Sequence, residues 1–191
     1  MLEFGAVEDA LSLLGGVLDA RGHAYEIVVV GGSALLLLGL IRRPTRDLDV
    51  LAIVENGAFV TAGPLPAELA EAARDVAPVL GLAEDWLNGG PTSQLQSGLP
   101  DGFEKRLERR TYGSLTVRIA SRFDQIHLKL FATVDQGPGK HLDDLRRLSP
   151  TRDELIQAAR WVRGQDIGEQ FPALVASALK ALGVDDVEGE G

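Results

Sequence analysis

Asp47 and Asp49 stand two residues apart at the entry to the apolar run Val50-Leu51-Ala52-Ile53-Val54. Strand side chains alternate faces, so both carboxylates project to one side, with Cα atoms roughly 6.6 Å apart. Two carboxylates so placed repel each other unless positive charge lies between them. A hard divalent cation meets that need, because Mg²⁺ prefers oxygen ligands and keeps waters that substrate phosphates can replace. Upstream, Gly31, Gly32 and Ser33 open a short apolar segment. Small residues at such a turn let backbone N–H groups approach an anion at a helix start. The competing reading is a tight strand-to-helix connection with Ser33 as N-cap, beside a solvated acid pair. Either half alone is common; a glycine turn after an apolar strand, followed by an acid pair entering the next strand, is rarer and points to a metal–phosphate site.

The elements that must position these residues are legible nearby. Tyr25–Val30 is continuous and β-branched, which suits a strand buried on both faces. The Gly-Gly-Ser turn follows at once, then a short helix over Ala34–Leu40, a break at Arg43-Pro44-Thr45 and a strand over 46–54. Before them, Val7–Ala20 has helical spacing, although Gly15-Gly16 opposes it at roughly 1 kcal/mol per Gly. After them, residues 65–80 form an amphipathic helix, and Gly81–Gly102 reads as a long loop carrying Trp86. Tyr112-Gly113-Ser114 makes a turn between short strands, and Leu115–Ala120 alternates as a strand with one buried face. Ser121 and Asp124 open a helix reaching about Asp135. Gly-Pro-Gly at 137–139 separates it from a helix over 140–148. Thr151 and Glu154 form a capping box for 152–163. A last helix, about 169–182, ends at Gly183.

Composition bounds the function. The chain has 191 residues with 45% hydrophobic and 25% charged, enough for one core with a small helical lobe. It has no Cys, which excludes disulfides, thiolate metal sites and a Cys nucleophile and fits a cytoplasmic location. The acidic N-terminus does not read as a signal peptide, and Ala34–Ile41 is too short to span a bilayer, so no membrane partner is expected. A net charge of −9 argues against a nucleic-acid binder that uses its whole surface. It leaves room for local Arg clusters, such as Arg42, Arg43 and Arg46, whose forks suit phosphate.

The stretch Gly31-Gly32-Ser33-Ala34 followed by Arg43-Pro44-Thr45-Arg46-Asp47-Leu48-Asp49 resembles the nucleotidyltransferase superfamily that includes DNA polymerase β and the bacterial antibiotic nucleotidyltransferases. It is more similar still to the AbiEii-like branch, found as toxins of type IV toxin–antitoxin pairs, and its uncharacterised bacterial relatives. That branch carries Gly-Gly-x-Ala and then Arg-x-Thr-x-Asp-hydrophobic-Asp. Its Lys-Leu-x-Ala block is matched by Lys129-Leu130-Phe131-Ala132, and its Lys-Asp-x-x-Asp-Leu block by Lys140–Leu145, with His141 where the first acid usually stands. The resemblance covers about residues 25–148. It implies a small mixed α/β (α+β) sheet flanked by helices, Mg²⁺ or Mn²⁺ on Asp47 and Asp49, and an NTP as substrate. It also implies nucleotide phosphates on Gly31, Gly32, Ser33 and Arg43, with Lys129 and Asp144 as further catalytic residues. The acceptor would be a hydroxyl of tRNA or protein, and an antitoxin protein would be a partner.

Other motifs weigh less. The Rossmann fingerprint and the P-loop both lack required residues, and His23, His127 and His141 form no metal constellation. Trp86 stacks on a base or fills the core edge. Many polymerase-β-like enzymes take a third carboxylate from a central strand, whereas Leu115–Ala120 offers Arg118 on its polar face. The expectation is therefore a nucleotidyltransferase-like domain over 1–139, a helical extension over 140–183 and a disordered acidic tail over 184–191. Its activity would be Mg-dependent nucleotidyl transfer; the alternative is a non-catalytic nucleotide- or protein-binding domain that keeps the fold.

Overall fold

Strand β1, Tyr25–Val30, lies between two partners of opposite sense. It pairs antiparallel with β2, Leu48–Glu55, and parallel with β6, Leu115–Ile119. Ile27, Val28 and Val29 are fully buried, as an apolar run flanked on both sides requires. Each such side chain contributes roughly 1.5–3 kcal/mol by leaving water. Outside β2 lies β3, Ala58–Thr61, and outside β6 lies β5, Glu108–Tyr112, giving the order β3-β2-β1-β6-β5. A two-residue strand β4, Leu87–Asn88, adds to the start of β2 in parallel. The computed structural model describes residues 2–165 and 168–184. These fall into two compact units, the first ending at Ser121 and the second beginning at Arg122. The mixed α/β fold expected from the sequence is the fold observed.

In the first unit the sheet is accompanied by α1 (Phe4–Ala20), α2 (Gly31–Leu37) and α3 (Ala67–Val79). The first glycine of the pair in α1 has a packing reason, since a Cβ on Gly15 would stand 1.7 Å from the Tyr112 carbonyl oxygen, whereas one on Gly16 would meet nothing within 4 Å. Helix α2 begins at Gly31, three residues before the expected start, and its N-cap is Val30 with no side-chain cap. Ser33 is therefore not the N-cap.

Residues 81–102, expected as a long loop, fold into β4, a 3-10 turn at Gly90–Thr92 and the short helix α4, Ser93–Ser97. Trp86 holds them down. It is fully buried and its Nε1 donates to the Ala73 carbonyl at 2.9 Å, so it fills the core rather than offering a face to a base.

The second unit is helical: α5 (Arg122–Gln136), α6 (Lys140–Arg147), α7 (Arg152–Arg163) and α8 (Phe171–Ala181). The boundary precedes residue 140 because α5 packs on α6, α7 and α8. Arg122 joins three of these helices. Its guanidinium donates to the Leu148 carbonyl at 2.7 Å and 3.0 Å, to the Ser149 carbonyl at 3.0 Å and to Glu154 at 2.5 Å. The Thr151–Glu154 capping box forms as expected. His127 packs between Phe123 and Trp161, with ring centroids 4.4 Å and 5.8 Å away. Of the expected acidic tail, residues 185–191 lie outside the described residues.

Candidate active site

Burial alternates along the acid segment: Asp47 and Asp49 are half-buried, while Leu48 and Val50 are fully buried. The strand begins at Leu48, two residues later than the sequence predicts, so Asp49 lies inside it and Asp47 immediately precedes it. The alternation of burial fits carboxylates on one side and the apolar pair on the other. The pairing of β1 with β2 sets Val30 opposite Asp49. The chain leaves β1 directly into Gly31, whose φ is +76°. Asp49 Oδ2 lies 2.5 Å from where a Gly31 Cβ would stand. The left-handed backbone favours glycine at this position, and a Cβ there would also displace the Asp49 carboxylate. Turn and acid strand are one geometric unit.

The segment 43–47 closes on the same turn. Thr45 Oγ1 and Arg43 Nη2 lie 2.9 Å and 3.7 Å from the Cβ position of Gly32, so Arg43 brings its guanidinium to the glycine turn while Arg42 is exposed. Ser33 is fully buried, and its hydroxyl donates to the Asp47 carbonyl. Thr45 Oγ1 donates to the same oxygen at 3.4 Å. Both hydroxyls thereby fix the backbone of the first acid. Thr45 is itself tied down by a two-bond bridge to Leu2, at 2.7 Å and 2.9 Å. Sequence reasoning assigned no role to Thr45, although it sits inside the Arg-x-Thr-x-Asp run.

The remaining sequence candidates stand on other elements. Lys129 on α5 and Asp144 on α6 meet each other in the helical unit, Nζ to Oδ2 at 2.8 Å, with side chains 6% and 0% exposed. Arg118 donates to Glu26 across the sheet at 2.7 Å, and Arg109 stands 3.5 Å from the same carboxylate. The Arg118 hydrogen bond holds the Glu26 carboxyl below its usual range against the opposing effect of burial. The polar face of β6 thus offers an ion-paired arginine. Among the described residues no group of three or more His, Asp or Glu gathers as a metal site.

A family model described as a nucleotidyltransferase of unknown function (DUF6036) matches residues 11–138, more than half of the chain. The chain belongs to this nucleotidyltransferase family. Among curated proteins and solved structures, none matches it. In this nucleotidyltransferase, Asp47 and Asp49 offer two hard oxygen donors, both half-buried, one just before β2 and one inside it. That donor set fits Mg²⁺, which takes one or two carboxylates and completes its octahedron with water and substrate phosphate. Among the described residues no helix is long and apolar enough to cross a membrane.

Proposed function

We propose that this nucleotidyltransferase moves a nucleoside monophosphate from an NTP to a hydroxyl of tRNA or protein, with Mg²⁺ or Mn²⁺ on Asp47 and Asp49. The observation that carries the reading is the fusion of glycine turn and acid pair, with Asp49 Oδ2 over Gly31 and Arg43 beside Gly32. When bound, the cation offsets negative charge on the reacting phosphate. Asp47, its carbonyl held by Ser33 and Thr45, and Asp49, held by the β1 pairing, keep fixed positions for that charge. The glycine turn and the Arg43 fork receive the outer phosphates. The acceptor oxygen bonds to the α-phosphorus, the bond to the bridging oxygen breaks, pyrophosphate leaves and the hydroxyl proton passes to water. Preorganised charge of this kind accounts for much of phosphoryl-transfer catalysis.

The finer reading is a toxin of a type IV pair with an antitoxin partner, and it rests on the Arg43–Asp49 motif. Incubation with each radiolabelled NTP, Mg²⁺ and total tRNA tests the activity, and label is expected in RNA or in protein. Growth arrest on expression, relieved by a neighbouring gene, tests the toxin role. One observation favours a second reading, a domain that binds nucleotide without turning it over: Arg118 pairs with Glu26 where a third carboxylate would complete the site. Nucleotide binding with no transfer to any acceptor would select that reading.

A further inference from the structure

Asp49 has a second neighbour on the side away from Gly31. Strand β4 pairs in parallel with the start of β2, setting Leu87 against Leu48 and Asn88 against Asp49. Paired residues share a face, and burial agrees: Leu48 and Leu87 are buried, while Asp49 and Asn88 are half-buried. The Asn88 carboxamide is also oriented. Its Oδ1 accepts the Gly90 N–H at 2.8 Å, which turns the acceptor oxygen back to the chain and leaves the two Nδ2 hydrogens as donors for an incoming group. Strand β4 is kept in place by the fully buried Trp86 just before it and by Thr92 just after it, whose Oγ1 accepts the Ala62 N–H at 2.8 Å.

Three neighbouring strands therefore present, in order, the Gly31 turn at the end of β1, Asp49 on β2 and Asn88 on β4, spanning about 10 Å at the usual strand spacing. If the outer phosphates lie over the glycine turn and Arg43, and the α-phosphate lies at the acid pair, the rest of the nucleotide continues toward β4. The first polar part it brings there is its sugar. We propose that Asn88 is a specificity-determining residue whose Nδ2 donates to a ribose hydroxyl, making this a ribonucleotide site. The inference rests on the nucleotide-binding reading above.

The test is calorimetric binding of ribonucleoside, 2′-deoxy and 3′-deoxy triphosphates with Mg²⁺ to wild type, Asn88→Ala and Asn88→Asp. Asn88→Asp keeps the oxygen that accepts from Gly90 and removes the donors, so it separates recognition from the fold of the turn. Wild type is expected to bind one deoxy analogue about five- to tenfold more weakly than the ribonucleotide, the range of one hydrogen bond. Both variants are expected to lose that ratio, whatever their absolute affinity. Preference retained in both variants, or a wild type indifferent to both hydroxyls, overturns the role of Asn88 while leaving nucleotide binding intact. A wild type that binds no triphosphate overturns the underlying reading as well.

Discussion

Asp49 sits over Gly31 so closely that its Oδ2 lies 2.5 Å from the place a side chain on Gly31 would occupy. The contact links the last residue of the β1 exit to the first acid inside β2, and it makes the turn conformation and the carboxylate position depend on each other. Val30 and Asp49, paired across the ladder, hold the arrangement from below.

Gly31→Ala is expected to separate binding from folding. A Cβ in the left-handed region costs about 1–2 kcal/mol, and the Asp49 carboxylate must swing away as well. Thermal denaturation should show a folded protein with a modestly lowered midpoint. Calorimetry should show Mg²⁺-dependent NTP affinity reduced by about tenfold or more, equivalent to about 1.4 kcal/mol.

Ser33→Ala distinguishes two jobs for one hydroxyl. If it holds the Asp47 carbonyl, as its burial and hydrogen bond indicate, the variant loses about 1 kcal/mol of stability in urea titration. NTP affinity then falls along with it. Unchanged stability with weakened NTP binding would instead return Ser33 to the phosphate cradle expected from the sequence.

Lys129 and Asp144 form a buried pair, and breaking it from one side leaves a charge without compensation. Lys129→Met alone is expected to cost about 3–5 kcal/mol, whereas Lys129→Met with Asp144→Leu should recover most of it. Chemical denaturation of the two variants checks this. Nucleotidyl transfer lost in the stable double variant would give the pair a chemical part beyond its structural one.

The strand, glycine turn, helix and acidic strand were legible because the signals are local: a β-branched run, small residues and a two-residue spacing. Helix α2 starts at Gly31, three residues earlier than the sequence predicts, with Gly31 itself at φ +76°. What lay between 81 and 102 was not legible for a physical reason. Strand β4 exists through its partner β2, and Trp86 is fixed by the Ala73 carbonyl on a helix before it. Likewise, the burial of Lys129 depends on Asp144 from another helix, and Arg118 finds Glu26 on a strand far back in the chain. Such partners leave no trace in a local window.

The helical unit should respond to acid through Glu154. Hydrogen bonding by Arg122 holds its carboxyl below the ordinary value of 4.5, with the Thr151 N–H adding to this against the opposing effect of burial. Its contribution to stability is fully present above that ordinary value and is lost as pH falls through the lowered folded value. Glu154→Gln should cost about 1 kcal/mol near neutrality through the weakened cap and lost ion pair. Its unfolding free energy should also fall less steeply than wild type as pH drops below about 4.5, the region where this linkage operates. Parallel slopes in urea titrations across that range would contradict the assignment.

The central claim is that Asp47 and Asp49 form a cation-dependent nucleotide site, and calorimetric titration of Mg²⁺ with NTP into Asp47→Asn/Asp49→Asn tests it most directly. The account predicts Mg²⁺-dependent binding in wild type and none in the double variant, with circular dichroism spectra that superimpose. Binding unchanged in a folded double variant would contradict it.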